Sequence, residues 1–280
     1  MKTVCLGGGP AGLYFAISLK LRNPDDEVLV IERNRADDTF GWGVVLSDET
    51  LDNLAQNDPK SAEAIRGHFA YWDDIKVVKE DVAITSTGHG FCGLGRKTML
   101  LLLQERCREL GVELRFETEV DDVDALRREY DLVVAADGGN SKTRAAYADA
   151  FKPEIDTRAC KFVWLGTHAK FDDAFTFIFE KTEHGWVWAH AYQFDADTAT
   201  FIVECSQETW DRFGFEDMTK DETVETCRRI FERHLDDHAL MSNAGHLRGS
   251  AVWINFPRVL CERWHHENGV LLGDASATAH

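Results

Sequence analysis

Gly7-Gly8-Gly9-Pro10-Ala11-Gly12 follows the apolar run Val4-Cys5-Leu6, and Glu32 closes a second apolar run that begins at Val28. Gly7 permits a tight turn out of a strand, Gly9 lets backbone approach a pyrophosphate, and Gly12 lets a helix pack closely on that strand. Pro10 and Ala11 within this turn are further candidate contacts, and the helix expected over 12–22 has free N–H groups at its start that face the phosphates. Glu32 can only accept hydrogen bonds, so it suits the ribose hydroxyls of an adenosine and repels a ribose phosphate. Arg33 follows it as a further candidate contact. The chemistry these residues suit is the holding of a dinucleotide.

Two later segments deliver an acid to the end of an apolar run. Asp131-Leu-Val-Val-Ala-Ala precedes Asp137-Gly138, and a helix is expected to start at Asn140 or Ser141, both good N-cap residues. Gly269-Val-Leu-Leu precedes Gly273-Asp274, where a carboxylate could receive hydroxyl protons from a sugar-like chain.

Positioning these residues requires alternating elements. The first 60 or so residues read as strand, helix, strand and helix, 97–110 as a long helix, and 112–116 and 131–135 as strands, which predicts a mostly parallel sheet. From about 160 to 205 the pattern turns β-rich at 162–166, 175–179, 186–192 and 200–204, which predicts an inserted antiparallel sheet. A helix is expected at about 219–235, and 269–272 returns to a buried strand of the first type. The division expected is a nucleotide-binding part at 1–160 with a short excursion near 65–92, a second domain at 161–265, and a return to the first at 266–280.

The composition, 44% hydrophobic and 29% charged, is that of a globular protein with a sizeable core. A net charge of −18 repels nucleic acid and anionic membrane surfaces, so neither is an expected partner. The seven cysteines include no C-x-x-C pair and several lie in apolar runs, which predicts buried thiols in a reducing compartment. With no apolar leader after Met1-Lys2, the expected location is cytoplasmic.

Together the GGGPAG start, Glu32, Arg96 with Met99 and Leu103 on one helical face, the 136–144 segment ADGGNSKTR and the 273–275 segment GDA resemble single-component FAD-dependent aromatic hydroxylases. The resemblance covers nearly the whole chain. It implies a Rossmann-like α/β FAD-binding domain with an inserted, mainly antiparallel substrate domain. Arg96 would lie by the FAD pyrophosphate, Asp137 would serve the flavin and a passing nicotinamide nucleotide, and Asp274 would bond the ribityl chain. NAD(P)H would act as a transient co-substrate and O2 as the oxidant, with oxygen passing from a flavin C4a-hydroperoxide to an electron-rich ring. A closer resemblance, through 38–51 and 201–210, is to the branch acting on ortho-substituted aromatic acyl-CoA thioesters and on tryptophan derivatives. There the loop 41–46, including Gly43 and Val44, would lie against the isoalloxazine ring. Members continue beyond Gly-Asp-Ala, so this chain is expected to be truncated, and His280 would border the flavin pocket.

A thioester would need local cations, and 96–97, 142–144 and 258–263 are the basic clusters available. Aromatic-rich strands at 175–179 and 186–192 are the expected pocket walls. Trp186-Val-Trp188 resembles the W-x-W of flavin-dependent halogenases but runs on into Ala189-His190, and such alternation ordinarily marks a core. His234 and His238 have i, i+4 spacing, yet the glutamate of a zinc site is missing and a solvated helical face is expected, with no metal. No nucleophilic triad stands out, and no catalytic residue is assigned. A non-oxygenating FAD oxidoreductase, a hydroxylase of free aromatic acids or tryptophan derivatives, and an inactive flavin-binding fragment remain open alternatives.

Overall fold

The computed structural model describes residues 1–39, 41–171, 173–243 and 253–278. Its first layer is a six-stranded sheet in the order His265–His266, Gly269–Leu271, Leu132–Ala135, Lys2–Leu6, Glu27–Ile31, Glu113–Arg115, parallel except at the His265–His266 edge. Successive residues of its inner strands are buried on both faces. Cys5, Val30 and Val134 pack on Leu13, Ile17 and Leu103, while Leu6, Leu29 and Val133 meet Val123 and Leu126 on the far side. That two-sided burial explains the unbroken apolar runs that a half-exposed strand would not need.

Chain order along this sheet reverses at the Lys2–Leu6 strand. Glu27–Ile31 and Glu113–Arg115 lie on one side of it, Leu132–Ala135 and Gly269–Leu271 on the other. A crevice opens at the carboxyl ends of the strands at such a switch point. The first helix, Pro10–Arg22, and the long helix Arg96–Glu109 cover the same face.

The second layer is an eight-stranded sheet, antiparallel except where Ala174–Thr182 runs parallel to Asp74–Lys79. Strands Ala174–Thr182, Gly185–Gln193 and Ala199–Cys205 alternate buried and half-buried residues, and Pro153–Thr167, exposed over 154–159, becomes buried toward its end. The fully buried set (Val163, Ile178, Val187, Ala189, Ala191, Phe201, Val203) forms a core with Trp210, Cys227 and Phe231 from the helical segments that follow. Trp186 and Trp188 lie on the opposite face, and Trp186 is 36% exposed, so the alternating tryptophans are not core. Val187, Ala189 and Ala191 take the core side because small residues let the helices approach the sheet.

A three-stranded sheet of Ala70–Trp72, Gly43–Ser47 and Phe91–Gly95 joins the two layers. The predicted 219–235 helix ends earlier than expected. It runs Lys220–Ile230, opened by a Thr219–Glu222 capping box, and a 3-10 turn at Glu232–His234 follows. Asp236 and Asp237 adopt positive φ, so His234 and His238 do not share a helical face. His234 Nε2 lies 2.6 Å from Glu180 Oε1 with its side chain 16% exposed, so a partly buried hydrogen bond replaces the solvated face. All seven cysteines are free, and six are buried.

Candidate functional site

Three strand ends converge at the switch point. A Cβ on Gly7, which has φ +108°, would stand 2.2 Å from the Ala136 carbonyl oxygen, and one on Gly12 would stand 2.1 Å from the Gly7 oxygen. Only glycine lets these three backbones meet. Gly273, also at positive φ, turns over the start of the first helix, where a Cβ would lie 2.9 Å from that of Ala11. Gly7, Gly9, Pro10, Ala11, Gly12, Glu32, Asp137, Gly138, Gly273 and Asp274 therefore gather on one sheet edge.

Gly9 caps the first helix without a side-chain hydrogen bond, Pro10 is its first residue, and no acid occupies the first turn. The leading N–H groups are thus left for a ligand, and the space beside Gly9 is open. Glu32 is held in place from both sides: the Gly8 N–H donates to Oε2 at 2.7 Å and the Asn34 N–H to Oε1 at 2.8 Å. Each oxygen keeps a lone pair for a hydroxyl. Arg33 is exposed beside it.

Asp137 is half committed. Its Oδ2 accepts from the Thr143 N–H and hydroxyl, both at 3.1 Å, whereas buried Oδ1 has no hydrogen-bond partner. Beyond it Gly138 and Gly139 face open space. Ser141 caps the next helix, accepting from the Arg144 N–H at 2.9 Å. The Arg144 side chain, 4% exposed, donates to the carbonyls of Gly139, Asp274 and Ala275, clamping the two Gly/Asp turns together. The sequence placed Arg144 only within a basic cluster; its clamp spans 130 residues.

Arg96 opens the long helix, where its N–H donates to the Trp42 carbonyl at 2.8 Å. Among the described residues its guanidinium makes no ion pair, and buried Nε has no hydrogen-bond partner. Burial lowers its pKa, opposed by the negative charge of exposed Asp274 nearby. Asp274 and the Trp164 ring, whose centroid lies 5.9 Å from the guanidinium carbon, compensate this largely buried charge only in part, so the site suits an anion. The other basic clusters are already neutralised. Lys97 pairs with Asp37, Lys142 with Glu119, and Arg258 with Glu154.

Gly43 is fixed at both backbone groups. Its N–H donates to Thr200 Oγ1 at 2.9 Å and its carbonyl accepts from the Tyr192 hydroxyl at 2.8 Å. A Cβ on Gly41 or Gly43 would fall within 3 Å of the Trp164 or Phe194 ring, so these glycines admit aromatic side chains of the protein itself. Val44 pairs with Leu94 and packs on the first core. Phe40 and His280 lie outside the described residues.

The Tyr192 contact turns one face of the eight-stranded sheet toward this loop. Phe175, Phe177, His190 and Tyr192 cluster there with ring centroids 4.7–6.2 Å apart, and Phe91 joins them edge-on at 6.3 Å. His190 and Glu204 went unnoticed in the sequence as a polar pair within this cluster; the period-two alternation of 186–192 was the signal that placed His190 on the tryptophan face.

The donor set matches FAD. An uncapped helix start and an unpaired buried arginine suit a pyrophosphate, Glu32 suits a ribose, and Asp274 with the bare oxygen of Asp137 suits further hydroxyl or amide donors.

Comparison with known proteins agrees. Residues 1–280 match the family described as FAD binding domain. Salicyloyl-CoA 5-hydroxylase of a Streptomyces species is 42% identical over the whole chain, which spans 54% of that protein. Protodeoxyviolaceinate monooxygenase of Chromobacterium violaceum is 34% identical, again over the whole chain and 74% of the relative. The chain thus spans about half to three quarters of the length of these curated relatives. Among solved structures, p-nitrophenol 4-monooxygenase from Pseudomonas putida shares the fold with a TM-score of 0.77 at 17% identity, over 100% of this chain and 75% of that one. No described helix is long and apolar enough to cross a membrane. The match along its full length makes this chain a member of the FAD binding domain family.

Proposed function

We propose that the protein hydroxylates an aromatic substrate with NAD(P)H and O2, and that the substrate is an ortho-substituted aromatic acyl-CoA thioester. The observation that carries the reading is the aromatic face of Phe175, Phe177, His190 and Tyr192, tied by the Tyr192 hydroxyl to the Gly43 loop beside the candidate FAD site. Bound FAD would supply the activation of O2 with electrons from the nicotinamide.

The chain's own residues would do the rest. The helix start and Arg96 would hold the pyrophosphate, Glu32 the ribose, and Asp137 and Asp274 the remaining hydroxyl and amide donors of the flavin and of a transient nicotinamide nucleotide. The aromatic face would orient a flat ring and exclude water from it. An ortho amino or hydroxyl group suits this chemistry because it enriches the ring that an electrophilic oxygen attacks.

The thioester is suggested by the name of the Streptomyces relative. A recess of about 350 Å³ lined by Val77, Lys79, Phe179 and Trp186 supports it, since it continues the same face outward and sets Lys79 Nζ 5.3 Å from the Trp186 ring centroid. A cation beside an exposed indole suits a nucleotide end. Lys79 stands in for the basic clusters of the sequence, which spend their charge internally.

The test is consumption of NAD(P)H and O2 with salicyloyl-CoA or 2-aminobenzoyl-CoA, coupled to a hydroxylated thioester, against the free acids. Hydroxylation of free aromatic acids or tryptophan derivatives with the thioesters ignored would replace this reading with that of a hydroxylase of free acids. Nicotinamide oxidation without oxygen insertion would replace it with a non-oxygenating oxidoreductase.

A further inference from the structure

The half-buried face of the eight-stranded sheet carries one polar pair that cofactor binding leaves unused. The registers place Trp164, Ile202, His190 and Phe177 in one row across four strands, and Phe162, Glu204, Trp188 and Phe179 in the next. His190 and Glu204 are diagonal neighbours, Nε2 to Oε2 3.5 Å, each with its side chain 26% exposed. Glu204 is anchored by the Trp188 indole N–H, which donates to the same Oε2.

Phe175 and Phe177 confine the imidazole, their centroids 6.2 and 4.8 Å from it. Burial lowers the His190 pKa, with Glu204 acting in the opposite sense, so the balance favours the neutral ring. Nε2 faces Glu204, and a neutral ring that carries its proton on that nitrogen leaves Nδ1 as an acceptor. Among the described residues Nδ1 has no hydrogen-bond partner. His190 lies two residues, about 7 Å of strand, from Tyr192 at the Gly43 loop. A bare acceptor fixed among phenylalanines beside the candidate flavin pocket has one evident use.

We propose that His190, oriented by Glu204, accepts a hydrogen bond from the ortho hydroxyl or amino group of the substrate ring and so selects rings that carry such a donor. The proposal rests on the reading of this face as the aromatic-substrate site. A site built to bond a substrate O–H or N–H discriminates against the analogue lacking it more sharply than an apolar wall does, because the analogue covers the acceptor without pairing it.

The experiment measures dissociation constants by calorimetry on the FAD-loaded protein for two pairs of probes, salicyloyl-CoA with benzoyl-CoA and salicylate with benzoate. Wild type should prefer the ortho-hydroxy member of the pair it binds by about 10- to 100-fold. His190→Phe should bring that ratio close to one whatever it does to the affinity of each probe, and His190→Asn, which restores an acceptor, should recover part of it. Glu204→Gln, which still accepts from Trp188 but lacks the charge, should reduce the ratio with FAD retained. A general packing defect would weaken both members alike.

Loss of the preference in the free-acid pair alone supports the role of His190 while overturning the thioester reading. An unchanged ratio in a His190→Phe protein that retains FAD overturns the role of His190, as does a wild type with no ortho preference in either pair. Binding of none of the four probes overturns both proposals.

Discussion

Asp274 and Glu32 sit on the same sheet edge but are committed differently, and the difference is measurable. The Glu32 carboxylate ties down two backbone N–H groups of its own loop, whereas the Asp274 side chain is exposed and makes no hydrogen bond among the described residues. Removing a charge-assisted hydrogen bond costs about 1.5–3 kcal/mol, so either alanine variant should weaken FAD binding by about one to two orders of magnitude. Asp274→Ala should leave the melting temperature of the FAD-free protein within about a degree, while Glu32→Ala should lower it. Equal effects of the two on FAD-free stability would show that the edge is organised otherwise. These acids were legible in the sequence because each closes a short apolar run. His190 and Glu204 were not, since their meeting depends on the register between two strands, which no local spacing encodes.

At the scale of elements, the glycine turn and one buried ion pair set how the first helix and its neighbours sit. Gly7 combines positive φ with a backbone oxygen where a Cβ would stand, so Gly7→Ala should destabilise by several kcal/mol and abolish FAD retention. Thermal unfolding and flavin content check this, and a wild-type melting temperature with full flavin content would contradict it.

The helices Asp48–Asn57 and Pro59–Arg66 are pinned to Arg96–Glu109 at Asp58, which accepts from Arg106 Nε at 2.8 Å and Nη2 at 3.0 Å. Burial at Asp58 opposes ionisation, but the hydrogen bonds from Arg106 and Ser61 outweigh it and hold the carboxyl below its usual range. For a depressed carboxyl, the stabilisation is full above the unfolded pKa near 4 and is lost as pH falls through the folded value. Asp58→Asn should therefore flatten the fall of melting temperature below about pH 4, and an unchanged slope would remove Asp58 from the acid response. Arg106→Met should cost about 3–5 kcal/mol at pH 7 by leaving Asp58 buried without its partner. Equilibrium unfolding in urea measures that loss, and a change under 1 kcal/mol would contradict it. The long helix itself was evident from its apolar face, but its anchor was not, because Asp58 and Arg106 are 48 residues apart.

For the whole molecule, two sheets of different character meet across a small third one, and the candidate site lies where they meet. The alternation of strands and helices in the first 135 residues made the parallel sheet legible, and period-two patterning did the same for the larger sheet. The alternating tryptophans were misjudged as core, because aromatic content suggests burial while close helix packing demands small side chains. FAD held at this edge would join elements far apart in the chain, from Gly7 to Asp274, so at a concentration 100 times its dissociation constant it should stabilise the fold by about 2.7 kcal/mol. The most direct test of the account is titration of the flavin-free protein with FAD and, separately, with NAD+, in wild type and Asp274→Ala. The account predicts tight FAD binding to wild type, weakened about 10- to 100-fold by Asp274→Ala, and at most weak NAD+ binding. No FAD binding, or an affinity unaffected by loss of the Asp274 carboxylate, would contradict it.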